Sequence, residues 1–216
     1  MQASEHYRAQ RLAATELYRS LDDQQLATAV PGCPLWTVRD LASHLAGLPA
    51  SVNRGEMEGA GSPPWTGKQV ADRAGQSVAD VLQEWEQEAP PFEAALDGAG
   101  GLTWPSVMDV SLHLDDAREA LGLPLGVTAA DERVLDLLVA QAGRGAEGVG
   151  SLTIRSGDKQ WTIGSGHPSA ELRVDDRGEL SRALGGRRTD DQVRALDWTG
   201  GPEPWLPVLP LFREGR

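Results

Sequence analysis

From Trp36 to Leu48, apolar residues fall at Val38, Leu41, Leu45 and Leu48, the spacing of one buried helix face. Thr37 with Asp40 forms a variant capping box at its start. A second stripe, Val78, Val81, Leu82, Trp85 and Ala89, follows a similar pair, Ser77 and Asp80. A third, Val107, Val110, Leu114, Ala117 and Leu121, predicts a helix within Trp104 to Pro124. Ala3 to about Leu26 predicts another, with a less regular apolar side of Tyr7, Ala14, Leu17 and Leu21. Between these lie breakers. Pro31-Gly32-Cys33-Pro34 interrupts the chain, and Gly55 to Gly67 is a Gly, Ser and Pro loop. Pro90-Pro91 ends or kinks a helix that Phe92 to Leu96 continues, and Gly98 to Gly101 with Pro105 forms a turn. Amphipathic helices joined in this way predict a helix bundle.

After Gly122-Leu123-Pro124 the pattern changes. Thr128 and Asp131 would cap a helix through Val134, Leu137 and Leu138 that ends in the glycines from Gly143 to Gly150. Leu152 to Arg155 and Gln160 to Ile163, joined by Ser156-Gly157-Asp158, predict a hairpin, and Ala170 to Val174 a further strand. Glu179 to Leu184 reads as helical, and Pro202 to Phe212 as a Pro-rich tail with apolar anchors. The expected class is α+β, with a helix bundle over residues 1–126 and a small α+β domain over residues 127–216.

Candidate chemistry sits on the edges of two of these helices. Asp109 and His113 stand at i and i+4, so their side chains lie one above the other, and Asp116 follows His113 by three. His44 lies beside Leu41 and Leu48 at the edge of its own apolar stripe. A carboxylate and imidazoles at a helix–core boundary are costly to bury without a cation or a hydrogen-bond network. His44, Asp109 and His113 can converge on one divalent ion with positions left for water or a thiolate. The plainer alternatives are a hydrogen-bonded core histidine at 44 and a surface ion pair at 109 and 113.

Composition narrows the field. The chain has 216 residues and a formal net charge of -12, with no basic face of the kind nucleic acid requires and no basic patch for anionic lipid. No run approaches the roughly 20 apolar residues of a spanning helix, and the N-terminal residues lack the apolar core of a secretion signal. The expectation is a soluble, cytoplasmic protein. Cys33 is the single cysteine, expected to be inert and partly buried, so no internal disulfide and no thiolate cluster can form. His6 and His167 are expected to be solvated, and Trp65 could form the wall of a pocket.

Cys-Pro-Leu-Trp-Thr-Val-Arg-Asp-Leu-Ala-Ser-His-Leu-Ala-Gly (Cys33 to Gly47) resembles the first motif of the mycothiol-dependent maleylpyruvate isomerase family. Asp-Val-Ser-Leu-His-Leu-Asp-Asp (Asp109 to Asp116), followed by Ala-Leu-Gly-Leu-Pro, resembles its second. The resemblance implies a DinB-like four-helix bundle followed by a small domain similar to sterol carrier protein folds. It also implies a divalent ion, zinc above all, held by His44, Asp109 and His113, with Asp116 supporting the ligand histidine. Asp109 departs from the glutamate usual there, and Ser106 and Val107 occupy a region where many relatives carry arginine. An arginine of the C-terminal part would hold a substrate carboxylate; Arg187, Arg188 and Arg194 are the candidates, with Arg188 and Arg194 preferred. The implied activity is activation of mycothiol, or a similar small thiol, as thiolate for attack on an electrophilic small molecule, as isomerase or S-transferase. The alternative is a non-catalytic small-molecule or metal-binding protein of the same fold.

Overall fold

Residues 2–98, 103–126 and 132–211 are described by a computed structural model, in which the chain forms two compact units, Met1–Pro124 and Leu125–Arg216. The first unit contains α1 (Ala3–Arg19), α2 (Asp23–Leu26), β1 (Ala29–Val30), β2 (Cys33–Thr37), α3 (Val38–Asn53), α4 (Pro63–Ala71), α5 (Val78–Leu96) and α6 (Thr103–Ala120). No described helix is long and apolar enough to cross a membrane.

Both capping boxes close. The Thr37 hydroxyl accepts from the Asp40 amide while the Asp40 carboxylate accepts from the Thr37 amide, and Ser77 with Asp80 repeats the exchange. Helix α1 packs on α5 and α6, and α3 packs on α4, α5 and α6. The interior they share is built from Tyr7, Tyr18, Leu41, Leu45, Trp85, Phe92 and Leu114, all fully or almost fully buried. Trp85 Nε1 donates to the Tyr7 hydroxyl at 2.9 Å, and the Tyr7 and Phe92 rings meet edge-on.

Several features refine or depart from the sequence expectation, among them the break after Arg19 that divides the helix expected from Ala3 to about Leu26 into α1 and α2. The inward stripe of α1 is Tyr7, Gln10, Arg11, Ala14, Thr15 and Tyr18, with Leu17 only half-buried. Arg11 can lie inward because Glu93, itself buried, accepts from it at 3.0 Å and from Arg8 at 2.7 Å. Helix α5 does not end at Pro90 and Pro91 but continues over Phe92 to Leu96, the second of the two expected outcomes, its far turn held by buried Phe92 and by that Glu93 pairing. The segment read as loop carries α4, because Pro63 and Pro64 occupy the first helical positions, where a missing amide hydrogen costs nothing. The break at Pro31 to Pro34 is part of a short antiparallel hairpin, β1 with β2, that leads into α3.

The second unit contains α7 (Glu132–Gly145), β3 (Ser151–Ser156), β4 (Lys159–Gly164), β5 (Pro168–Arg173), α8 (Arg177–Leu184), α9 (Asp190–Arg194) and β6 (Asp197–Thr199). Its sheet has the order β4-β3-β5-β6, with β3 and β5 parallel and the other neighbours antiparallel. The β3–β4 hairpin turns at Gly157, whose φ of +59° suits glycine. Helix α7 packs against β4 and α8, and Trp161 of β4 donates to Asp136 of α7 at 2.8 Å. Trp205, Leu206 and Leu209 anchor the tail as buried side chains. The expected Thr128–Asp131 cap, the part of the glycine turn from Ala99 to Gly101 and the final Phe212 lie outside the described residues.

Candidate metal centre

Helix α3 aims His44 inward, where it is 2 % exposed, and α6 presents Asp109 and His113 one turn apart. His44 Nε2 lies 3.2 Å from Asp109 Oδ2, and His113 Nε2 lies 3.5 Å from Asp109 Oδ1. The two imidazoles stand edge to face with centroids 5.0 Å apart. One potential ligand atom from each of the three residues lies within 4.8 Å of the other two. Asp109 keeps about a quarter of its side chain in contact with solvent, so the cluster has an open side.

The opposite nitrogens determine what this cluster can do. His44 Nδ1 lies 2.7 Å from Gln69 Oε1, and His113 Nδ1 lies 2.8 Å from Asp116 Oδ2. Amide and carboxylate oxygens only accept, so each Nδ1 is placed to donate and each Nε2 is directed at Asp109. A cation placed among these atoms would meet two imidazole nitrogens and a carboxylate at once.

Asp116 is fully buried and also receives the Cys33 thiol, whose Sγ is 3.7 Å from Oδ2. Cys33 is half-buried as expected, but it has an anionic neighbour that chain order conceals. Its Sγ with His113 and Asp116 makes a second close set of potential ligand atoms. Tyr18 reaches the same neighbourhood. Burial, reinforced by the Asp116 and Cys33 charges, pushes its phenol well above the usual range, and its hydroxyl has no hydrogen-bond partner among the described residues.

Two residues of this site were not singled out from the sequence. Trp36 of β2 lies against both imidazoles, with centroids 5.0 Å from His44 and 5.8 Å from His113. Gln69 of α4 is the other. Trp65, proposed as a pocket wall, stands at the start of α4 with its indole donating to the Glu56 carbonyl at 2.8 Å. The only signal for Trp36 is its place inside the first motif, and Gln69 gives none, because it follows the Gly55 to Gly67 segment in a stretch with no apolar period. His6 packs beside the Trp104 ring, and His167 is exposed. In the second unit, Arg188 donates to both Glu179 oxygens at 2.7 Å, Arg194 pairs with Glu203 and Asp191, and Arg187 donates to the Gly185 carbonyl.

Fold and site together define an α+β protein whose helical N-terminal unit holds a two-histidine, one-carboxylate cluster with converging ligand atoms. The model of the mycothiol maleylpyruvate isomerase N-terminal domain matches residues 7–122, and the chain belongs to that family. Two solved structures share the fold: the crystal structure of the mycothiol-dependent maleylpyruvate isomerase, with TM-score 0.54, and that of a histidine-to-alanine mutant of it, with TM-score 0.51. Each is 14 % identical to this chain, and each match covers 92 % of both chains. The curated proteins give no match.

Proposed function

We propose that this protein is a divalent-metal enzyme that activates a low-molecular-weight thiol, mycothiol foremost, for addition to an electrophilic double bond. The thiol either leaves after bond rotation, which is isomerisation, or stays on the product, which is S-transfer. The observation that carries the proposal is the convergence of His44 Nε2 and His113 Nε2 on the Asp109 carboxylate, with each Nδ1 facing an acceptor oxygen. Family membership supplies the thiol.

The donor set suits zinc: two imidazole nitrogens and one carboxylate are the protein ligands of open catalytic sites, and a site with three such ligands keeps a position for substrate. When bound, such an ion lowers the pKa of a coordinated thiol, so that the thiolate predominates near neutrality. His44 and His113 would hold it through Nε2, and Asp109 through its carboxylate. Asp116 fixes the His113 ring and raises its basicity through the Nδ1–H bond, as Gln69 does more weakly for His44. Trp36 covers one flank of both rings, excluding water and leaving the Asp109 side for thiol and substrate. Arg188 and Arg194 are retained as candidates for a substrate carboxylate; either would exchange its present carboxylate partner for the substrate's.

The test is to incubate the zinc-loaded protein with mycothiol and a panel of electrophiles that includes maleylpyruvate, with mass and chromatographic detection. An isomerised product or a thioether that requires both the thiol and the metal is expected. Tight retention of a small molecule with no turnover across the panel would favour the binding-protein alternative.

A further inference from the structure

The geometry points to Gln69 as the positioning residue that keeps the candidate centre able to take a cation, by holding His44 in its Nδ1–H tautomer. This rests on the metal role proposed above. His44 Nε2 is already 3.2 Å from Asp109 Oδ2, within reach of a direct hydrogen bond. If the ring hydrogen moved to Nε2, it would bond Asp109 and the pair would be satisfied without an ion. The proton on Nδ1 is what prevents this, and Gln69 Oε1 at 2.7 Å is the acceptor that keeps it there. His113 has a carboxylate, Asp116, for the same purpose; His44 depends on a neutral amide, so its tautomer balance is the easier of the two to tip.

The placement of Gln69 is fixed from several sides. It is 2 % exposed. Its Nε2 donates to Ser51 Oγ at 3.3 Å while its Oε1 faces the imidazole. Its backbone carbonyl accepts from Arg73 Nη1 at 2.9 Å, and Arg73 is clamped by both oxygens of Glu84 at 3.0 and 2.6 Å. Opposite it, α3 carries Gly47, where an added Cβ would lie 2.5 Å from Gln69 Cβ. Helix α4 therefore delivers one amide to one ring nitrogen across a contact that no larger residue at position 47 permits.

The experiment compares wild type, Gln69→Met and Gln69→Glu. Met keeps the length of the side chain and removes the acceptor, whereas Glu keeps an acceptor. Imidazole proton–nitrogen correlation spectra of the metal-free protein, at about pH 9 where free imidazole is neutral, report the tautomer. Zinc affinity comes from competition with a chelating dye, and circular dichroism with thermal melting confirms the fold. Wild type and Gln69→Glu should show His44 protonated on Nδ1, and Gln69→Met should move it toward Nε2–H. Zinc affinity should fall about 10- to 100-fold in Gln69→Met and change less than about threefold in Gln69→Glu. A folded Gln69→Met variant with wild-type tautomer and affinity overturns the inference, as does wild-type His44 found as the Nε2–H form. Failure of the wild type to bind zinc would instead refute the metal role, while the tautomer comparison would still decide the part played by Gln69.

Discussion

His44, Asp109 and His113 could be grouped from the chain because helical spacing puts 109 and 113 on one edge and the apolar stripe puts 44 on another. The partner of the far nitrogen of His44 could not be assigned that way, because Gln69 reaches it from another helix, whereas Asp116 follows His113 by three and its place beside that ring was readable from helical spacing. Cys33 shows the same limit, since the Asp116 carboxylate beside its thiol is 83 positions away in the chain. Tyr18 gives a prediction at this scale. A buried hydroxyl without a partner costs about 1–3 kcal/mol of desolvation, so Tyr18→Phe should leave stability unchanged or raise it by up to about 1 kcal/mol. Urea unfolding measures this, and a loss of stability would show that the hydroxyl has a role the present geometry does not include.

Among the elements, long amphipathic helices with capping residues could be recognised, and short or proline-started ones could not. The caps at Thr37 and Ser77 gave the starts of α3 and α5 because each is local. Helix α4 and the β1–β2 hairpin escaped because their stability comes from contacts with α3 and with each other rather than from a periodic pattern. The α3–α4 crossing is correspondingly sensitive. Gly47→Ala would bring a methyl within 2.5 Å of Gln69 Cβ and 2.8 Å of Arg73 Nη1. A loss of about 1–3 kcal/mol, read from the unfolding midpoint, is expected together with weaker zinc binding. The start of α1 has an acid-sensitive tie: the Ser4 hydroxyl and amide donate to Asp97 and hold its carboxyl below the usual range. A depressed pKa stabilises the fold above the ordinary carboxylate range and loses that contribution as pH falls through the folded value. Asp97→Asn should therefore be less stable than wild type at pH 7, with the difference shrinking toward pH 3. A difference that does not change with pH would refute the assignment.

Over the whole molecule, the change from helices to strands after the glycines at 143–150 was visible because short runs bounded by turn residues replace the helical period there. The order of the sheet was not visible, since the parallel pairing of β3 with β5 depends on which edge the chain returns to after β4. All three candidate ligands, and Trp36, Gln69 and Asp116 around them, belong to the unit Met1–Pro124. A formal net charge of -12 also favours cations over phosphates at any open site. The proposed divalent ion between His44, Asp109 and His113 is tested most directly by elemental analysis of the purified protein beside His113→Ala. The expected result is about one equivalent of zinc or a similar ion in the wild type and less than about a tenth in the variant; full metal content in His113→Ala, or none in the wild type, would contradict it.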